Sequence, residues 1–238
     1  VVKFFFVVGK ADIASGAATA LADVAKGVAE GKKAVVSGYT DASGDPAMNE
    51  ELAKKRGMRM VGVTYYGKRH LTTGSKVVKS AADMAGFKLR VPPVDTFRAM
   101  AEAWGAKATP VNFNELYLAL SQGAVDGQEN PLPTIQGAKL NEVQKYLVLT
   151  GHIITPRLVI VNNDFWTGLK PADRTLLEAS IAAGVTWQDK ELAAQEGTLV
   201  NTLKTAGMTI IEPDLESFRK PVLATVPAQF EGKWGKGT

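Results

Sequence analysis

The chain of 238 residues has no cysteine. Disulfides and cysteine-ligated metals are therefore excluded, while the redox compartment stays open. Histidine occurs only at His70 and His152, too few for an HExxH helix or a histidine-rich metal cluster. There is no P-loop and no GxSxG elbow. With no nucleophile–base pair in view and no cofactor motif, the sequence reads as a non-enzyme that needs no cofactor or metal. Long apolar runs are also missing. The most apolar stretch, Val1–Val8 (VVKFFFVV), is far shorter than the ~20 residues of a membrane span and is not followed by a signal-peptide cleavage pattern. It reads as a buried strand, with any export signal removed or absent from this chain. Concentrated charge is lacking too. The net charge is +4, and the basic clusters Lys32-Lys33, Lys54–Arg56 and Lys68-Arg69 are not interleaved with aromatic residues. They read as solvated faces, which argues against a nucleic-acid partner.

What remains is an ordinary globular composition, 45% apolar and 22% charged, with enough chain to bury a sizeable core as one large domain or two small ones. The first 56 residues read β-α-β-turn-α: the apolar strand, an alanine-rich helix over 13–30 closed by Gly31, the strand Lys33–Tyr39, a turn over Thr40–Asp45 and a helix over Asn49–Arg56. Beyond Gly57, extended runs are predicted over Met58–Tyr66, Lys68–Thr73, Lys88–Val91, Tyr146–Thr150, Ile153–Val161 and Thr209–Ile211. Helices are predicted over Ser80–Ala85, Thr96–Trp104 and the start of 112–132. A long one opens at Pro171 and runs to about Ala206, on the order of 50 Å at 1.5 Å per residue. Asn163-Asp164 cap a short helix containing Trp166. Asp214–Trp234 reads as helical, broken at Pro221 and Pro227. Strands alternate with helices, so the class is α/β.

The stretch Asn112–Leu132 (NFNELYLALSQGAVDGQENPL) organises the rest. It opens as an amphipathic helix ended by Gln122-Gly123. Asp126–Pro131 then reads as a polar turn, in which Pro131 pushes Asn130 out of the helical region; that suits a side chain aimed into a cleft, and an ordinary αβ turn fits the local pattern equally well. ELYLALSQGAVDGQENPL resembles the signature of the solute-binding receptors of TRAP transporters, the DctP-like family. GKRHLTTGSKVV (67–78), GFKLRVPP (86–93), NEVQKYLVLTGH (141–152) and FWTGLKPADRTLL (165–177) follow in that family's order. The resemblance implies a periplasmic-binding-protein-like lobe with a long spanning helix. It further implies a periplasmic location, capture of a small organic acid and delivery to the membrane subunits of a TRAP permease. By its motif positions, Arg90 is the carboxylate anchor, Asn130 a ligand contact and Arg69 a second arginine near the ligand. An arginine fork suits a carboxylate because it offers two parallel donors and stays charged. Phe113 and Trp166 are candidates to line the cleft, although aromatics at helical spacing serve more often in a core. Glu129 is a weaker candidate for tuning the site or holding a cation.

A second resemblance lies upstream. GYTDASGDPAMNEELAKKR (38–56) is similar to the peptidoglycan-binding core of OmpA-like domains, with Thr40, Asp41, Gly44, Asn49, Leu52 and Arg56 in the pattern. It implies that Asp41 pairs with an ammonium and Arg56 with a carboxylate of the wall peptide. The local alternative is that Asp41 stabilises its turn and Arg56 is a solvated helix residue. The expected organisation is therefore 1–56 as an OmpA-like partial domain and 57–238 as a receptor-like region lacking the N-terminal part of the first lobe. A natural fusion, an engineered chimera and a sequence assembled from two proteins all fit such a join.

Overall fold

The computed structural model of the protein describes residues 57–234. The two strands, two helices and turn expected within residues 1–56, together with Asp41 and Arg56, lie outside the described residues. The elements are β1 (Met58–Thr73), a 3-10 turn (Ala81–Met84), β2 (Lys88–Val91), α1 (Asp95–Ala103), β3 (Lys107–Pro110), α2 (Phe113–Ser121), β4 (Gly127–Pro131) and α3 (Leu132–Gly137). A second 3-10 turn (Leu140–Glu142), β5 (Tyr146–Asn162), α4 (Asn163–Gly168), α5 (Pro171–Thr205), β6 (Thr209–Ile211) and α6 (Leu215–Trp234) complete the order. The α/β class read from the sequence is the one observed. None of the described helices is long and apolar enough to cross a membrane.

The described residues fall into two compact units, one of 57–65 with 156–192 and one of 66–155 with 193–234. In the first, Asn163 donates its backbone N–H to the Gly57 carbonyl at 2.9 Å. Asp189 on α5 accepts from the Thr64 hydroxyl at 2.7 Å and from the Tyr65 N–H at 2.6 Å. Gly62 lets β1 approach closely: a Cβ there would lie 3.1 Å from the Ile181 side chain and 3.3 Å from that of Val185.

In the second unit the sheet has the strand order β3-β2-β4-β1-β5-β6. β2 runs parallel to β3 and β4, β1 antiparallel to β4, and β5 parallel to β6. Successive residues of a strand point to opposite faces, and Leu147 and Val148 on β5 do so into different cores. Val148 joins Leu71, Leu89, Val91, Met100, Trp104 and Phe218 beneath α1 and α6. Leu147 joins Leu116, Leu120, Ile135, Leu199 and Leu203 beneath α2, α3 and the end of α5. Both faces of this mixed sheet are covered.

Three expectations are corrected. The polar segment Asp126–Pro131 is not a turn: Gly127–Pro131 forms β4, buried along its whole length between β2 and β1. Its polar side chains tolerate burial because partners more than fifty residues away bond them. Its glycine is obligatory, since a Cβ at Gly127 would lie 2.2 Å from the Thr72 carbonyl oxygen and 2.8 Å from the Phe87 ring. Second, the two strands expected within 146–161 are one, β5. Third, Pro221 and Pro227 do not break α6. Phe218, Val222, Val226 and Phe230 recur every four residues and pack onto the core beside α1. That continuous apolar stripe outweighs the lost backbone bonds.

Candidate functional site

Arg90 sits on β2, paired on one side with Thr109 of β3 and on the other with Gln128 of β4. A charged side chain in the middle of a sheet must be bonded or solvated. Its Nε and Nη2 both donate to the carbonyl of Val111, at 2.8 and 2.6 Å. One edge of the guanidinium is thus clamped to the chain just past β3, and Arg90 is 2% exposed. Burial lowers its pKa, opposed by the nearby Glu129 charge and reinforced by Arg69. The group nevertheless stays cationic, because arginine starts so far above neutrality. These hydrogen bonds go to a carbonyl, and among the described residues no carboxylate is bonded to it.

Arg69 is different. It lies on β1 opposite Pro131 and is tied to the carboxylate of Glu129, Nε to Oε2 at 2.5 Å and Nη2 to Oε1 at 2.8 Å. Nη2 also donates to the Glu129 carbonyl at 2.8 Å and to Asn130 Oδ1 at 3.1 Å. The guanidinium stands 5.0 Å from the centre of the Phe97 ring, a cation–π contact. Its charge is matched within the protein.

Glu129 is fully buried. Burial pushes its pKa up, but hydrogen bonds from His152 and Arg69, with their charges, hold it below the ordinary carboxylate range. His152 Nε2 lies 3.2 Å from Glu129 Oε2. On its other side, Thr150 Oγ1 is 2.7 Å from His152 Nδ1 and accepts from the Leu71 N–H at 3.2 Å. Leu71 thus donates to Thr150, Thr150 meets His152 at Nδ1, and His152 meets Glu129 through Nε2. The ring stands edge-on to Trp104, with centroids 4.9 Å apart. The neighbouring His70 lies opposite Asn130 on β1, and its Nδ1 accepts from the Gly151 N–H at 3.1 Å.

Of the sequence-derived residues, Arg69, Arg90 and Asn130 are thus gathered on three adjacent strands of one unit. Phe113 opens α2, two residues beyond the carbonyl that clamps Arg90, and is half exposed. Trp166 belongs to the other unit, where it is buried within α4. Sequence reasoning missed His152 altogether and gave Glu129 little weight. A lone histidine and one acid among polar neighbours carry no local signal of a buried ion pair. Among the described residues, no group of three or more metal-ligating side chains comes together.

Residues 31–233 match the family of bacterial extracellular solute-binding proteins, family 7, DctP. The chain is 38% identical over 173 residues to the sialic acid-binding periplasmic protein SiaP of Vibrio cholerae, an overlap covering 73% of this chain and 54% of that protein. The crystal structure of a TRAP periplasmic solute-binding protein from Roseobacter denitrificans, with bound 3-deoxy-D-manno-oct-2-ulosonic acid, superposes with a TM-score of 0.76 at 34% identity. That match covers 81% of this chain and 66% of the other. A Polaromonas receptor bound to D-erythronate gives a TM-score of 0.73 at 32% identity, over 90% of this chain and 66% of the other. The chain spans about half the length of the curated relatives it matches. On the extent of the family match, and on a fold shared with several of its solved members, the chain belongs to the DctP family of bacterial extracellular solute-binding proteins.

Proposed function

We propose that this chain is the ligand-gripping part of a periplasmic TRAP-transporter receptor, which captures a small organic carboxylate and hands it to membrane permease subunits. The observation that carries this reading is the contrast between the two arginines. Arg69 is neutralised by Glu129, whereas Arg90 is buried, held on one edge by a carbonyl and, among the described residues, bonded to no carboxylate. A cation kept dry and unmatched is suited to an anion arriving from outside. The relatives support the class of anion. One is named for sialic acid, and solved neighbours hold D-erythronate and L-galactonate, all hydroxylated carboxylic acids. Arg90 then anchors the carboxylate, Asn130 contacts the ligand, Arg69 positions Asn130, and Phe113 offers an apolar wall. The work is binding, not catalysis.

The test is calorimetric titration of sialic acid, 3-deoxy-D-manno-oct-2-ulosonic acid, D-erythronate and L-galactonate against wild type and Arg90→Lys. Lysine keeps the charge but cannot clamp Val111 and present a second aligned donor at the same time. The expected loss is about 1.5–3 kcal/mol, the range for a charge-assisted hydrogen bond, or roughly tenfold to a hundredfold in affinity. Asn130→Ala should cost less, because the amide carries no charge of its own to set against the carboxylate. An acid that binds wild type and Arg90→Lys equally would remove Arg90 from the anchor role.

A second reading rests on the motif from Thr40 to Arg56, in which residues 1–56 form an OmpA-like partial domain that holds peptidoglycan. Asp41 supplies the anion for the wall peptide's ammonium, and Arg56 the fork for its carboxylate. Asp41→Ala should then abolish retention on purified cell-wall sacculi. Equal retention of wild type and variant eliminates this reading.

A further inference from the structure

Beneath the ligand contact Asn130 runs a file of buried polar side chains that the carboxylate anchor does not use. Arg69 Nη2 donates to Asn130 Oδ1 at 3.1 Å. Asn130 Nδ2 is 2.5 Å from Gln128 Oε1, and Gln128 Nε2 is 2.9 Å from Thr72 Oγ1. Thr72 Oγ1 is 3.0 Å from Gln144 Oε1, and Gln144 Nε2 donates to the Val143 carbonyl at 3.0 Å. The five side chains are at most 4% exposed, so they bond mainly to one another.

The two ends decide how each amide in the file is turned. A guanidinium only donates, so Asn130 must face Arg69 with its oxygen. A backbone carbonyl only accepts, so Gln144 must face Val143 with its nitrogen. Thr72 has a single hydroxyl hydrogen. Because Gln144 then presents its oxygen, that hydrogen goes to Gln144, and the hydroxyl oxygen must accept from Gln128. Gln128 is left with its oxygen toward Asn130. All five bonds run in one direction, from Arg69 to Val143. Flipping any one amide sets donor against donor or acceptor against acceptor in a buried place, which is costly.

We propose that Gln128, Thr72 and Gln144 are positioning residues that lock the Asn130 amide with its nitrogen as the group left to donate, so that Asn130 reads a hydrogen-bond acceptor on the ligand. This rests on the reading of Asn130 as a ligand contact. With its oxygen given to Arg69 and one N–H to Gln128, the amide has one N–H to spend. The site then favours a carboxylate, keto or ether oxygen at the point that this N–H faces.

Two measurements test it. In the unliganded wild type, coupling across the hydrogen bond should connect Asn130 Nδ2 to the side-chain carbonyl carbon of Gln128. Coupling in the opposite sense, from Gln128 Nε2 to the Asn130 side-chain carbonyl, would overturn the proposal. That spectrum needs no ligand. A chain that bound none of the acids would therefore count against the carboxylate reading and leave the amide polarity still decided. The second measurement titrates D-erythronate. Thr72→Val should weaken binding roughly 2- to 10-fold, the effect of losing one neutral hydrogen bond, and Thr72→Ser should keep it. In the Asn130→Ala background, Thr72→Val should have no further effect, because Thr72 acts only through Asn130. Additive losses would show a merely structural residue and would overturn the proposal. If Thr72→Val does not fold, the wild-type spectrum decides alone.

Discussion

Glu129→Gln should cost the protein about 3–5 kcal/mol of stability, the usual result of removing one partner from a buried ion pair. The size follows from geometry. Oε2 of Glu129 faces Arg69 Nε and His152 Nε2, and Oε1 faces Arg69 Nη2. Both oxygens meet donors, so an amide turned either way points its NH2 at another N–H. The Arg69 charge is left buried with neutral oxygens alone to bond, the remaining amide oxygen at 129, the 129 backbone carbonyl and Asn130 Oδ1. Domains of this kind are stable by only about 5–15 kcal/mol in total, so the variant will sit near the edge of folding. Urea unfolding followed by circular dichroism reads the loss. A variant within 1 kcal/mol of wild type would show that the pair is not a structural keystone of the sheet.

Acidification should weaken the fold in two separable steps. The first belongs to His70, whose pKa falls from 6.5 to about 4, chiefly through burial and next through the His152 charge; Glu196 opposes the shift and Lys68 adds to it. The unfolded chain binds a proton at higher pH than the folded one. The stabilisation from neutral His70 is therefore complete above about pH 6.5 and is lost as the pH falls from there toward 4. A gap of about 2.5 between the two pKa values corresponds to about 3 kcal/mol. Glu129 acts lower. Its folded pKa is depressed, so its contribution is present above the unfolded carboxylate value, near 4.3, and is lost as the pH falls through the folded one. Unfolding free energies at pH 7, 5.5 and 4.5 should decline for wild type. His70→Asn, which keeps an acceptor for the Gly151 N–H, should be nearly flat over the same range. A wild type as stable at pH 4.5 as at pH 7 would contradict the assignment.

How far the sequence foretold this molecule depended on whether a feature was local. Lys88–Val91 and Thr209–Ile211 were legible as strands from β-branched and aliphatic runs, and the 35-residue α5 from its opening Pro171. β4 was not, because Gly, Gln, Glu, Asn and Pro are turn formers. What makes them a central strand is the set of partners supplied by Thr72 and Arg69, on a strand sixty residues earlier. α6 was misread for the same reason in reverse. Its two prolines are local signals, overruled by an apolar stripe that only a packed neighbour rewards. Arg90 was visible as a motif position, but its clamp on Val111 was not, since no pattern marks which carbonyl a side chain will reach. The pairing of Glu129 with Arg69 and His152 was equally hidden, because each residue is unremarkable where it stands in the chain.

The central claim is that Arg90 waits for a carboxylate, and the most direct measurement compares each acid with its own neutral amide. Wild-type protein is titrated in a calorimeter with D-erythronate, L-galactonate and sialic acid, and then with the corresponding primary amides at the same pH and salt. The account predicts saturable binding of at least one acid and loss of that binding in its amide, because the amide removes the charge and sets an N–H against the guanidinium. An acid and its amide binding with equal affinity would contradict it.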